Sequence, residues 1–155
     1  MARVKKILAP TDFSDLSKRG VRYALEIARD TSAEVIVYYA IDVASEWHDR
    51  PTITRPYHDM LEDSRNQLDK FLADHFADCI DLIEVRKVVE FGAPAGNILE
   101  TAQREGVDMI VMSTHGRTGL SHMMLGSITE KVVARAPCPV LVVPRGEHGT
   151  AARAA

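Results

Sequence analysis

The feature that most limits what this chain can fold into is an alternation. Five apolar runs of strand length are separated by longer stretches of mostly helical period, the pattern of parallel strands joined by crossover helices. Residues 4–10 read as the first strand. The cap-rich segment Pro10-Thr11-Asp12-Phe13-Ser14-Asp15 then leads into a helix over 15–30, with Val21, Leu25 and Ala28 at helical spacing. Residues 34–41 (EVIVYYAI) form a second strand, apolar enough to be covered on both faces. Residues 42–55, with Trp47 and Pro51, lose all period and read as a mobile surface loop, a candidate lid or partner surface. Met60, Leu61, Leu68, Phe71, Leu72 and Phe76 place a helix over 57–77, and residues 80–89 read as a third strand whose charges suit an edge. The turn Gly92-Ala93-Pro94 opens a helix over 95–105 that Gly106 ends at its C′ position. A short buried strand over 108–112, a helix over 127–135 stopped by Pro137, and a last strand over 139–143 complete a β-α-β-α-β-α-β-α-β order.

Four right-handed crossovers on one parallel sheet put helices on both faces, and this forces a reversal in strand order. Ligands bind outside the carboxyl ends of the strands that flank such a reversal. Two strand ends carry the polar chemistry: the first, at Pro10-Thr11-Asp12, and the fourth, at Ser113-Thr114-His115-Gly116-Arg117-Thr118-Gly119. Glycines let backbone N–H groups approach an anion, and Gly126-Ser127 opens a helix, where free N–H groups and the dipole favour phosphate. The residues alone thus point to a phosphate-bearing small molecule. Two humbler roles stay open: Ser127-Ile128-Thr129-Glu130 fits an S-x-x-E capping box, and Asp12 suits a turn or cap.

Length and charge narrow the class. At 155 residues there is room for one domain, taken as 1–145 with a tail over 146–155, and the 46% apolar content fills a core without disulfides or a structural metal. Nineteen basic against 22 acidic side chains argue against a dedicated nucleic-acid or anionic-membrane binder. Neither a secretory leader nor an apolar run of membrane-spanning length is present, and Cys79 and Cys138 make no C-x-x-C pair, so a cytoplasmic setting is expected. Cys138 reads as buried and structural, Cys79 as a small core residue. His48, His58, His75, His122 and His148 have no metal-site spacing.

In order and spacing, the chain resembles the universal stress protein family over nearly its whole length. KKILAPTDFS at the start, YYAID at 38–42 and APCPVLVVP at 136–144 carry the resemblance, together with His115-Gly116, nine residues, and Gly126-Ser127. The last pair matches two elements of the G-x2-G-x9-G-(S/T) pattern of the ATP-binding branch; Ser113 stands where the first glycine is expected. The resemblance implies a Rossmann-like α/β/α fold of the adenine nucleotide alpha hydrolase type, its five parallel strands ordered 3-2-1-4-5. It further implies ATP with Mg²⁺ or Mn²⁺ on its phosphates. Pro10, Thr11 and Asp12 would border the adenosine, Ala40 would meet the adenine edge through its backbone, and Met112 would pack on the base. Ser113, His115, Gly116 and Arg117 would follow ribose and phosphates, and Gly126, Ser127, Ile128 and Thr129 would hold the phosphates. It also implies a homodimer through 139–143, an apolar edge that invites pairing.

If the residue at 113 must adopt positive φ, a serine there is strained by roughly 1–2 kcal/mol. Three functions follow: an ATP-dependent stress-response module with little or slow hydrolysis, possessing a protein partner; a slow ATPase or phosphotransferase using Arg117 and His115; or, if Ser113 abolishes binding, a nucleotide-free interaction protein. No G-x-x-x-x-G-K-(S/T) loop is present to favour the second.

Overall fold

The computed structural model describes residues 3–45, 56–115 and 125–146. They form β1 (Lys6–Pro10), α1 (Asp15–Thr31), β2 (Glu34–Ile41), α2 (Tyr57–Phe76), a 3-10 turn (Ile80–Leu82), β3 (Val85–Phe91), α3 (Pro94–Glu105), β4 (Met109–Ser113), α4 (Ser127–Arg135) and β5 (Val140–Val143). The strands make one parallel sheet in the order β3-β2-β1-β4-β5, so the reversal falls between β1 and β4 as expected.

Strand alternation divides the core in two. Ile7, Ala9, Val35, Val37 and Val111 face one side, against Val21, Ala24, Leu25 and Ala28 of α1 and Leu68, Phe71, Leu72 and Phe76 of α2. Leu8, Ile36, Tyr38, Ala40, Ile110 and Met112 face the other, against Ile98 and Ala102 of α3 and Val132 of α4. Helix ends follow local chemistry: Ser14 caps α1 by accepting from the Ser17 N–H, Ser32 ends it in the left-handed region, and Gly106 ends α3 likewise at φ 60°.

The third strand needs correction. The apolar run at 80–83 is a 3-10 turn whose Leu82 is 83% exposed, and β3 begins at Val85. Pairing explains this: Val35 to Ile41 of β2 align with Val85 to Phe91, and the chain leaves the sheet at Gly92, whose φ of 141° favours glycine. Ser113, read as a loop residue, is the last residue of β4. Cys79 and Cys138 are both partly buried, packed against the margins of the two cores rather than within them. No helix is long and apolar enough to cross a membrane among the described residues. The 46–55 part of the expected lid, with Trp47, and the tail over 147–155 lie outside them.

Candidate functional site

Where β1 ends, the chain must reverse into α1 within four residues. The Thr11 N–H donates to the Tyr38 carbonyl at 2.8 Å, the Phe13 N–H to Thr11 Oγ1 at 3.0 Å, and the Ser14 N–H to Asp12 Oδ1 at 3.0 Å. Asp12 is therefore a turn residue, as its chemistry allowed, and also lines the cleft described below. The reversal is completed by Phe13 at φ 65°, a left-handed conformation that costs a residue with a Cβ roughly 1–2 kcal/mol. Its ring lies 4.4 Å from that of Tyr39 and 5.4 Å from that of Phe71, centroid to centroid.

The end of β4 is built by close packing. Gly20 of α1 lies so near that a Cβ on it would sit 3.1 Å from the Ser113 nitrogen and 3.2 Å from Met112 backbone atoms. Ser113 donates its hydroxyl to the His115 carbonyl at 2.9 Å, and its own carbonyl accepts from Thr129 Oγ1 at 3.0 Å. Among the described residues, Phe13 and Ser32 are the non-glycine positions of positive φ. Ser113 therefore carries none of the backbone strain that a left-handed position would impose.

Gly126 is the N-cap of α4, with φ −62° and ψ 154° and no side-chain cap. Ser127 is the first helical residue and the Glu130 N–H donates to the Gly126 carbonyl at 2.9 Å, so the capping-box reading of Ser127-Ile128-Thr129-Glu130 is not met. Gly126 has no side chain with which to accept from the first-turn N–H groups of α4. Gly126 differs from expectation: its N–H donates to the Thr114 carbonyl at 2.7 Å and is not offered outward. Glycine is needed here for proximity, since a Cβ would meet Thr114 O at 3.2 Å and His115 Cα at 3.4 Å. The Thr129 hydroxyl proton is likewise committed, leaving that oxygen as an acceptor.

These elements surround one open cleft, about 540 Å³ when the open space at its mouth is counted. Of the expected site residues, Pro10, Thr11, Asp12, Ala40, Met112, Ser113, His115, Ile128 and Thr129 line it. Gly126 and Ser127 stand beside it without lining it, and Gly116 and Arg117 lie outside the described residues. Five lining residues escaped the sequence reading: Ser17, Tyr38, Tyr39, Pro94 and Ile98. Ser17 Oγ lies 2.8 Å from Thr11 Oγ1, bracing the turn. Tyr38 donates its hydroxyl to Glu90 Oε2 at 3.1 Å, and burial pushes that hydroxyl's pKa well above the usual phenol range. His115 Nδ1 lies 3.1 Å from Thr114 Oγ1. No group of three or more His, Cys, Asp or Glu that could hold a metal occurs among the described residues.

One feature of the cleft is set by strand length. The Tyr38 carbonyl points toward β1, and in a strand the backbone groups of alternate residues point the same way. The N–H and C=O of Ala40, two residues on, therefore project past the end of β1, which stops at Pro10. Ala40 itself lines the cleft there.

Known proteins resemble the chain along almost its full length. The model of the universal stress protein family matches residues 3–144. A universal stress protein of Methanocaldococcus jannaschii, MJ0531, is 35% identical over 152 residues, spanning 91% of this chain and 82% of the relative. The solved structure of the MJ0577 protein superposes with a TM-score of 0.74 at 30% identity, covering 94% of this chain and 99% of that one. A universal stress protein crystallised in complex with cAMP shares the fold, with a TM-score of 0.65 at 22% identity over 92% of this chain and 98% of its own.

Proposed function

The chain belongs to the universal stress protein family, and from that premise we propose that it binds an adenine nucleotide, ATP with Mg²⁺ or Mn²⁺ on its phosphates, in the cleft at the carboxyl ends of β1, β2 and β4. What supports this reading most is the place of Ala40, which lines the cleft on the β1 side of β2, two residues beyond Tyr38, the partner of the last β1 residue. To a backbone N–H and C=O an adenine edge offers the complement, an exocyclic amine that donates beside a ring nitrogen that accepts. Met112 and Ile98 supply apolar surface for the base. Asp12 stands where a carboxylate accepts from ribose hydroxyls, and the uncapped first turn of α4 provides N–H groups and a dipole for phosphate. A relative of the same fold holds cAMP, which supports an adenosine phosphate as the ligand class.

The protein then acts as a nucleotide-dependent stress-response module with little or slow hydrolysis, its bound state read by a protein partner. The sequence carries no G-x-x-x-x-G-K-(S/T) loop to follow charge onto a γ-phosphate, and Arg117 lies outside the described residues. Two copies pair through β5, an edge strand whose Leu141 is 36% exposed. Light scattering should give twice 17.2 kDa; the mass of one chain would exclude the pairing. For the nucleotide, freshly purified protein is denatured and its supernatant resolved by chromatography and mass. Release of ATP or another adenine nucleotide is expected, and a supernatant holding a different nucleoside phosphate in stoichiometric amount would overturn the base assignment.

A further inference from the structure

We infer that Phe13 is a positioning residue of this nucleotide site: its ring, held between Tyr39 and Phe71, keeps the β1–α1 turn in the left-handed conformation that sets Asp12 at the cleft. The inference rests on the nucleotide reading of the cleft. Phenylalanine does not favour φ 65°, because its Cβ opposes that conformation and it lacks the short polar side chain that eases asparagine or aspartate into it. Such a conformation persists only where the surroundings over-determine it. Here they do so from two sides. The backbone is held by the Phe13 N–H on Thr11 Oγ1 and the Ser14 N–H on Asp12 Oδ1, both 3.0 Å. The side chain is held by two aromatic partners on different elements, Tyr39 of β2 at 4.4 Å and Phe71 of α2 at 5.4 Å.

A glycine would make the same turn without strain but could not be gripped by either ring. The aromatic contact therefore does something that the turn alone does not need. It fixes which way the peptide on each side of Phe13 faces, and Asp12 is the residue immediately before it. Tyr39, the nearer ring, lines the cleft as well, so the grip and the ligand share one wall.

The test is a calorimetric titration of ATP with Mg²⁺ into the full chain as wild type, Phe13→Gly, Phe13→Tyr, Asp12→Ala and the double variant Phe13→Gly/Asp12→Ala. Phe13→Gly should weaken binding about tenfold and Phe13→Tyr less than about twofold, while in the Asp12→Ala background Phe13→Gly should change affinity less than about threefold, as expected for residues acting as one unit. Wild-type affinity in Phe13→Gly, with only its melting temperature lowered, would make Phe13 a core residue and overturn the inference. So would a tenfold loss that persists without Asp12. A wild type that binds no ATP would overturn the nucleotide reading itself and this inference with it, a result distinct from either of those.

Discussion

The two ends of the sheet are built from the same five strands and solve opposite problems. At the amino end, charges are mutually engaged: Arg86 reaches Glu34 at 2.8 Å and Glu105 at 2.5 Å, Lys6 lies 3.7 Å from Glu34, and Asp108 accepts from the Lys5 and Lys6 N–H groups at 2.8 and 3.0 Å. At the carboxyl end, Phe13 is left-handed, α4 starts without a side-chain cap, and Ala40 projects its backbone past the end of β1. A polar network that is complete in itself has nothing to offer a ligand. Strain and open hydrogen-bonding groups, held in place by a well-packed core, are what a binding site needs.

The largest effect that would sharpen this contrast comes from Gly126→Asp. Its carboxylate would sit at the N-cap of α4, where it favours the helix but repels phosphate, and its Cβ would press on Thr114 O at 3.2 Å. Binding of ATP should weaken by about 100-fold or more while the protein remains folded. A calorimetric affinity equal to wild type would place the phosphates elsewhere.

Next in size is Gly20→Ala. On an exposed helix the change would stabilise by about 1 kcal/mol, but here the new methyl meets Met112 and Ser113 backbone at 3.1 to 3.2 Å. We expect a net destabilisation of about 1–2 kcal/mol in urea unfolding, with weaker nucleotide binding because the end of β4 must move. A stabilised variant would show that α1 can lift from the strand freely.

Arg86→Met probes the other end. It should lower stability by about 1–2 kcal/mol, discounted because the arginine is partly exposed, and leave ATP affinity within about twofold. Loss of binding there would break the division between the two ends.

The smallest effect is one of pH. The Arg86 guanidinium, by its hydrogen bond above all, holds the Glu105 carboxyl below its ordinary value of 4.5. A depressed carboxylate stabilises the fold fully above that value and loses the contribution as pH falls through the lower folded value. Wild-type unfolding free energy should therefore drop more steeply than that of Arg86→Met as pH falls below the ordinary carboxyl value of 4.5. Parallel curves would remove Glu105 from the account.

Much of this was legible in the chain itself. Gly106 and the Pro94 turn marked the ends of α3, and the apolar alternation pointed to five strands in a parallel sheet, while the neighbouring of β1 and β4 followed from the family resemblance. The third strand was misplaced because Ile80, Leu82 and Ile83 are apolar for a turn, and only pairing with β2 sets where β3 begins. Phe13 could not be foreseen, since its backbone is dictated by rings distant in sequence. The same holds for Gly20, whose need is another element's backbone, and for Tyr39, which a strand buried on both faces gave no reason to place at a cleft.

The central claim is that the carboxyl end of the sheet holds an adenine nucleotide. It is tested most directly by stripping the protein of bound small molecules and titrating ATP with Mg²⁺ by calorimetry. Saturable binding of one ATP per chain with Kd in the micromolar range, about −8 kcal/mol, is predicted. No heat at concentrations about 100-fold higher, from a protein that remains folded, would contradict it.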